Sequence, residues 1–174
     1  IVVGAYGSAV SASHDGAVYF IQGPVSGSVD LSSLPRRTGE TTSSRSSLGL
    51  PVAGTGDVNG DGFDDVLIGA AGEDSIGDGS GAAYLIAGPV SGDADVSGAW
   101  AKITGASAGD AAGRWVAGCG DCTGDGVPDL LVGARYADGG GSNAGAAYLL
   151  AGPLTGQMSV DAATFSFEGE EADD

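Results

Sequence analysis

Gly81-Ala82-Ala83-Tyr84-Leu85-Ile86-Ala87-Gly88-Pro89 decides the fold, because the chain writes this stretch three times. It stands earlier as Gly16-Ala17-Val18-Tyr19-Phe20-Ile21-Gln22-Gly23-Pro24 and later as Gly145-Ala146-Ala147-Tyr148-Leu149-Leu150-Ala151-Gly152-Pro153, at steps of 65 and 64 residues. A second motif keeps the same step: Ile1-Val2-Val3-Gly4-Ala5, Val66-Leu67-Ile68-Gly69-Ala70 and Leu130-Leu131-Val132-Gly133-Ala134. A third, an aspartate-rich loop, begins at Asp57 and again 64 residues on at Asp121. Chance similarity does not hold one period across three motifs, so the chain is read as a tandem repeat.

Within each period, short β-type runs alternate with Gly, Asp and Ser clusters, and no helical periodicity is sustained. In the middle unit, Leu50–Thr55, Asp65–Ala70, Ala82–Ala87 and Trp100–Thr104 read as four successive strands. Four strands in about 64 residues, repeated, is the pattern of β-propeller blades. Solenoid repeats are usually shorter and often helical. The expected fold is all-β: four-stranded antiparallel blades, about three of them, forming a partial propeller. The units are expected at 1–48, 49–111 and 112–174, the first lacking its first strand and aspartate loop. Ile1 aligns with Val66, and Asp174 with Asp110, so the missing piece corresponds to residues 111–129. This reads as an excised or mature segment whose remaining blades come from the same longer chain or from other chains. Gly69, Ala70, Gly133 and Ala134 suit strands that crowd towards a central axis. Tyr19, Tyr84 and Tyr148 recur in phase as blade-packing residues.

The first loop is Asp57-Val58-Asn59-Gly60-Asp61-Gly62-Phe63-Asp64-Asp65, and the second is Asp121-Cys122-Thr123-Gly124-Asp125-Gly126-Val127-Pro128-Asp129. Carboxylates at positions 1, 5 and 9 converge only if the chain curls tightly, which Gly at position 6 permits. Asn59 or Thr123 adds a side-chain oxygen at position 3. Phe63 or Val127 adds a backbone carbonyl at position 7. Five or more hard oxygen donors without nitrogen or sulfur favour Ca²⁺, at two sites. An EF-hand would close with Glu at position 12 between helices; here the last carboxylate is at position 9 between apolar β-type runs. A solvated acidic turn without metal is the plain alternative, and Thr123 is a weaker ligand than Asn59. Asp64, replaced by Pro128 in the second loop, should face solvent or support the site.

Asp-x-Asn-x-Asp-Gly-x-x-Asp followed by Val66-Leu67-Ile68-Gly69-Ala70 and then Gly-Ala-Ala-Tyr resembles the FG-GAP repeats of integrin α-subunit propellers and their bacterial relatives. The resemblance covers essentially the whole chain. It implies a propeller, usually of about seven blades, with calcium in the hairpin between the first two strands of a blade. It also implies an extracellular or cell-surface location and a role in adhesion or ligand display. Two slots depart from the pattern. Leu48-Gly49 and Ala112-Gly113 lack the aromatic of "FG", and Gly69-Ala70-Ala71 and Gly133-Ala134-Arg135 lack the proline of "GAP".

Composition narrows the partners. With 6 Lys and Arg against 23 Asp and Glu, the net charge is −17. Such a surface repels phosphates, which counts against nucleic acid and against an anionic membrane face. No apolar stretch approaches the ~18 residues of a membrane helix. Hydrophobic content of 42% is too high for a disordered acidic tail. Cys119 and Cys122, the only cysteines, fit a small disulfide in an oxidising compartment; a redox motif is the rival reading, without the helix that would support it. A four-ligand zinc site is excluded, since His14 is the one histidine.

Catalytic signals are weak. Gly105-Ala106-Ser107-Ala108-Gly109 matches the nucleophile-elbow pattern, but no histidine follows it. Ser107 therefore reads as a turn residue and His14 as a solvated loop residue. Gly77–Gly81 has no helix after it to cradle phosphate. The expected function is a non-enzymatic, calcium-stiffened scaffold that binds a protein or glycan partner. The alternatives are a non-catalytic part of a larger secreted enzyme, or a lectin using Trp100 or Trp115, although a packing role is the reading expected for both tryptophans.

Overall fold

Apolar, β-branched runs bounded by glycine form the strands, and their pairing makes three sheets. The computed structural model describes residues 1–8, 16–39 and 46–171. The first sheet holds β1 (Val2–Ala5), β2 (Ala17–Phe20) and β3 (Arg36–Thr38). The second holds β4 (Val52–Gly56), β5 (Asp65–Ala70) and β6 (Ala82–Ile86), then, past the short β7 (Ala94–Asp95), β8 (Ala101–Thr104). The third holds β9 (Ala112–Gly120), β10 (Asp129–Ala134), β11 (Ala146–Leu150) and β13 (Phe165–Glu168), with β12 (Gly156–Ser159) leaving to pair elsewhere. Register repeats as the sequence does: Leu67 faces Leu85 and Ile68 faces Tyr84, just as Leu131 faces Leu149 and Val132 faces Tyr148. Among the described residues the only helical segments are three-residue 3₁₀ turns.

The first and second sheets each also receive a strand from the next unit, which the antiparallel four-strand expectation did not include. β7 pairs in parallel with β3, and β12 pairs in parallel with β8, so the middle sheet has five strands. Side chains reinforce these stitches. Arg36 pairs with Asp93 at 3.1 Å, and the Trp100 indole N–H donates to the Leu154 carbonyl at 2.8 Å. Two-residue β7 carries no periodic signal, which is why sequence alone does not reveal it.

Alternation along each strand sends one set of side chains backward and the other forward. Val18 and Phe20 pack with Ile68, Ala70, Tyr84 and Ile86 in one core between the first and second sheets. Leu67, Ala83, Leu85 and Ile103 pack with Leu130, Val132, Ala134 and Leu150 in another, between the second and third. Tyr84 is 1% exposed, Tyr19 is buried and Tyr148 half-buried, consistent with packing roles. The sheets approach so closely at two phase-equivalent points that only glycine fits. A Cβ on Gly4 would lie 2.0 Å from the Gly49 carbonyl oxygen, and one on Gly69 would lie 2.1 Å from that of Gly113. The glycines retained in the degenerate "FG" and "GAP" slots are thus the contacts of one blade with the next. These sheets are all-β propeller blades.

Candidate metal centre

The loops are built by a bulged hairpin. Gly54 faces Val66 and Gly56 faces Asp65, which leaves Thr55 as an extra residue; Gly118 and Gly120 likewise leave Cys119. The bulge feeds a loop that curls through left-handed glycines at Gly60 and Gly62 (φ 78° and 90°) and at Gly124 and Gly126 (φ 81° and 91°). The curl turns backbone N–H groups onto the first aspartate. Asp57 Oδ1 accepts from Gly60 and Asp61 at 2.7 and 3.0 Å, and Oδ2 accepts from Gly62 at 2.9 Å. Asp121 repeats this with Gly124, Asp125 and Gly126 at 2.6, 2.9 and 2.9 Å. Asp61 and Asp125 each accept from the position-7 amide, Phe63 or Val127, at 2.9 Å. Two loops of different sequence share this network bond for bond.

The ninth residue ties the loop to the blade. Asp65 and Asp129 are 1% and 0% exposed. Asp65 Oδ1 accepts from Gly88 and Asp129 Oδ1 from Gly152, both at 3.0 Å. The second oxygens take the position-2 and position-3 amides of Val58 and Asn59, at 3.0 and 3.3 Å, in the first loop, and the Thr123 amide at 2.7 Å in the second. Gly88-Pro89 and Gly152-Pro153 therefore recur in phase with the aspartates because they cap them. Sequence reasoning found both motifs without their connection, though the shared period was its signal. Burial is the largest influence on Asp65 and, with the Asp61 charge, lifts its carboxyl above the usual range despite three backbone donors. Burial also works to raise Asp129, but the Gly152, Thr123 and Cys122 amides prevail and hold it below that range.

The expected ligand residues share the two loops, but their carboxylates do not collapse onto one point. Among the described residues, the trio with ligand atoms all within 4.8 Å of one another is Cys119, Cys122 and Asp129. The donor set of Asp57, Asn59, Asp61, Asp65 and the Phe63 carbonyl is all oxygen; the Phe63 ring is 52% exposed, so the carbonyl is what it offers. Asn59 Oδ1 accepts from the Asp61 amide at 2.9 Å while its amide donates to Asp61 Oδ2 at 3.0 Å. In the second loop, Thr123 Oγ1 is buried close to the Asp129 carboxylate but outside hydrogen-bond geometry. A buried hydroxyl in that state carries a desolvation cost that a coordinated cation would remove. Asp121, Thr123, Asp125, the Val127 carbonyl and Asp129 thus fit a hard divalent cation as the first loop does. Asp64 is exposed.

The loops also lie side by side across a shared cavity. Val58 is fully buried in the core between the second and third blades, and a cavity of about 310 Å³ lies between Asp57–Gly60 and Gly126–Pro128. Val58, invisible to the ligand pattern, anchors the first loop. Cys119 and Cys122 are joined as a disulfide, with Cα atoms 6.0 Å apart. Elsewhere, the Ser107 amide donates to Asp110 at 2.8 Å, a turn contact, and His14 lies outside the described residues. Trp115, expected to pack, is instead 67% exposed beside Arg114, on the forward face of the third blade.

Residues 51–86 and 112–150 match the FG-GAP repeat family. The chain is similar to integrin alpha pat-2 of Caenorhabditis elegans, 35% identical over 135 residues, covering 72% of this chain and 10% of that protein. The chain thus spans about a tenth of that relative's length. Blades stitched by parallel strands, glycine contacts at the two diagnostic slots and these matches give one conclusion: the chain belongs to the FG-GAP repeat family and forms integrin-like β-propeller blades.

Proposed function

We propose that this chain is a non-enzymatic propeller segment, stiffened by Ca²⁺ in the loops Asp57–Asp65 and Asp121–Asp129, that serves outside the cell or at its surface in protein or glycan binding. The observation that carries the reading is the hydrogen-bond network repeated bond for bond in both loops, which holds all-oxygen donors in place on a chain of net charge −17. Similarity to an integrin α chain supports the adhesive role and the location. No helix among the described residues is long and apolar enough to cross a membrane. Calcium bound only by the folded form adds about 2.7 kcal/mol per site at a hundredfold excess over Kd. Two sites then raise Tm by roughly 10–20 °C in a chain of this size. Differential scanning calorimetry with calcium and with EGTA reads this directly; an unchanged Tm rejects the calcium reading.

The forward face of the third blade supports the proposal that further blades pack there, from the same longer protein or from another copy. Phe165 and Phe167 are 57% and 61% exposed, whereas their repeat equivalents Ala101 and Ile103 are fully buried against the next blade. Grouped exposed aromatics mark an interaction surface. The isolated chain is therefore expected to self-associate at high concentration, and Phe165→Ser with Phe167→Ser to shift it to monomer by sedimentation velocity. Equal association of both forms would remove this face from the proposal. A role as the non-catalytic part of a larger secreted enzyme is the second reading.

A further inference from the structure

The two metal loops are secured at position 2 by different means. In the first, Val58 is fully buried in the core between blades, and the bulge residue Thr55 is also buried. Position 2 of the second loop is Cys122, which is exposed, and its bulge residue is Cys119. A disulfide joins these two residues. The bridge therefore connects the end of β9 to the loop at the point where the first loop has a hydrophobic anchor. Cys119 Sγ lies 3.7 Å from the Asp129 carbonyl oxygen, and the Cys122 amide donates to the Gly120 carbonyl at 3.0 Å, so both cysteines sit at the bulge that feeds the loop. Cys122 is flanked by Asp121 and Thr123, so any loosening at position 2 moves both donors.

We infer that the Cys119–Cys122 disulfide is the positioning clamp of the second calcium loop, standing in for the Val58 anchor, and that it makes calcium affinity at this loop dependent on thiol redox state. The inference rests on the proposed calcium binding. Reduction adds two electrons and two protons to the disulfide and gives two thiols. A small dithiol supplies both and is itself oxidised to its cyclic disulfide. The loop then keeps its ligands but loses its covalent closure. A short disulfide-closed loop restricts the open state by an amount equivalent to roughly tenfold in an equilibrium constant.

The test is calcium titration calorimetry on the whole chain in metal-depleted buffer, with and without dithiothreitol, thiols being counted before each run. Asp57→Ala silences the first loop, so the second is read alone; Asp121→Ala does the converse. The expected result is a weakening of about tenfold at the second loop on reduction, and no change at the first. Cys119→Ser with Cys122→Ser should bind at the second loop like the reduced chain and ignore the reductant. Equal affinity of oxidised and reduced chains within twofold overturns the clamp. So does free thiol in the untreated protein with full affinity, or an equal reductant effect at the first loop. Absence of calcium binding at both loops in either state overturns the calcium reading itself, and the clamp with it.

Discussion

Gly113→Ala should cost about 3–5 kcal/mol of stability, because two independent penalties meet at one methyl group. Gly113 has φ 77°, where an L side chain is strained by roughly 1–2 kcal/mol. Its Cβ would also lie 2.0 Å from the Ala82 carbonyl oxygen, on backbone that belongs to the preceding blade. No rotamer change relieves that contact, so the second and third blades must separate. Gly98→Ala is the control. A Cβ there meets nothing within 4 Å, and the effect should stay within about 0.5 kcal/mol. Urea denaturation of the two variants gives the comparison. Equal midpoints would show that the blades are not in contact at Gly113.

Lys102→Met is expected to destabilise by about 3 kcal/mol, chiefly by stranding Glu73. The Lys102 ammonium lies 3.1 Å from Glu73 Oε1 and 2.6 Å from Ser75 Oγ, above the Tyr84 ring. The Glu73 side chain is 2% exposed, so its charge cannot turn to water when the partner is lost. The third blade carries the neutral alternative. At the repeat equivalents of Glu73 and Lys102 stand Ala137 and Ser166, and Tyr148 pairs with Ser166 as Tyr84 does with Lys102. A cavity of about 330 Å³ opens beside them. Glu73→Ala with Lys102→Ser, copying that blade, should therefore lose less than Lys102→Met alone. A double-mutant cycle in urea checks this, and additive losses would show that the two side chains do not act as a pair.

The repeat made most of the fold legible, because motifs in phase report strands in phase even where single strands are short. Ala82–Ile86 and Asp65–Ala70 could be read from their apolar runs and flanking glycines. β7 and β12 could not, since their pairing is parallel and between units, and Gly156-Gln157-Met158-Ser159 has no alternating pattern. For the loops, oxygen chemistry and spacing pointed to Asp57 and Asp121. What spacing does not carry is support from distant sequence: the Gly88 and Gly152 amides on the ninth aspartates, and Val58 buried between blades. The exposure of Trp115 is not legible from its residue type, because it depends on what covers the third blade.

Calcium stoichiometry tests the central claim most directly. Titration calorimetry of the chain should give two Ca²⁺ per molecule, one after Asp57→Ala, and none after Asp57→Ala with Asp121→Ala, while circular dichroism confirms that the variants keep their β structure. A chain that takes up no calcium, or a double variant that still takes up two ions, would contradict the assignment of these loops.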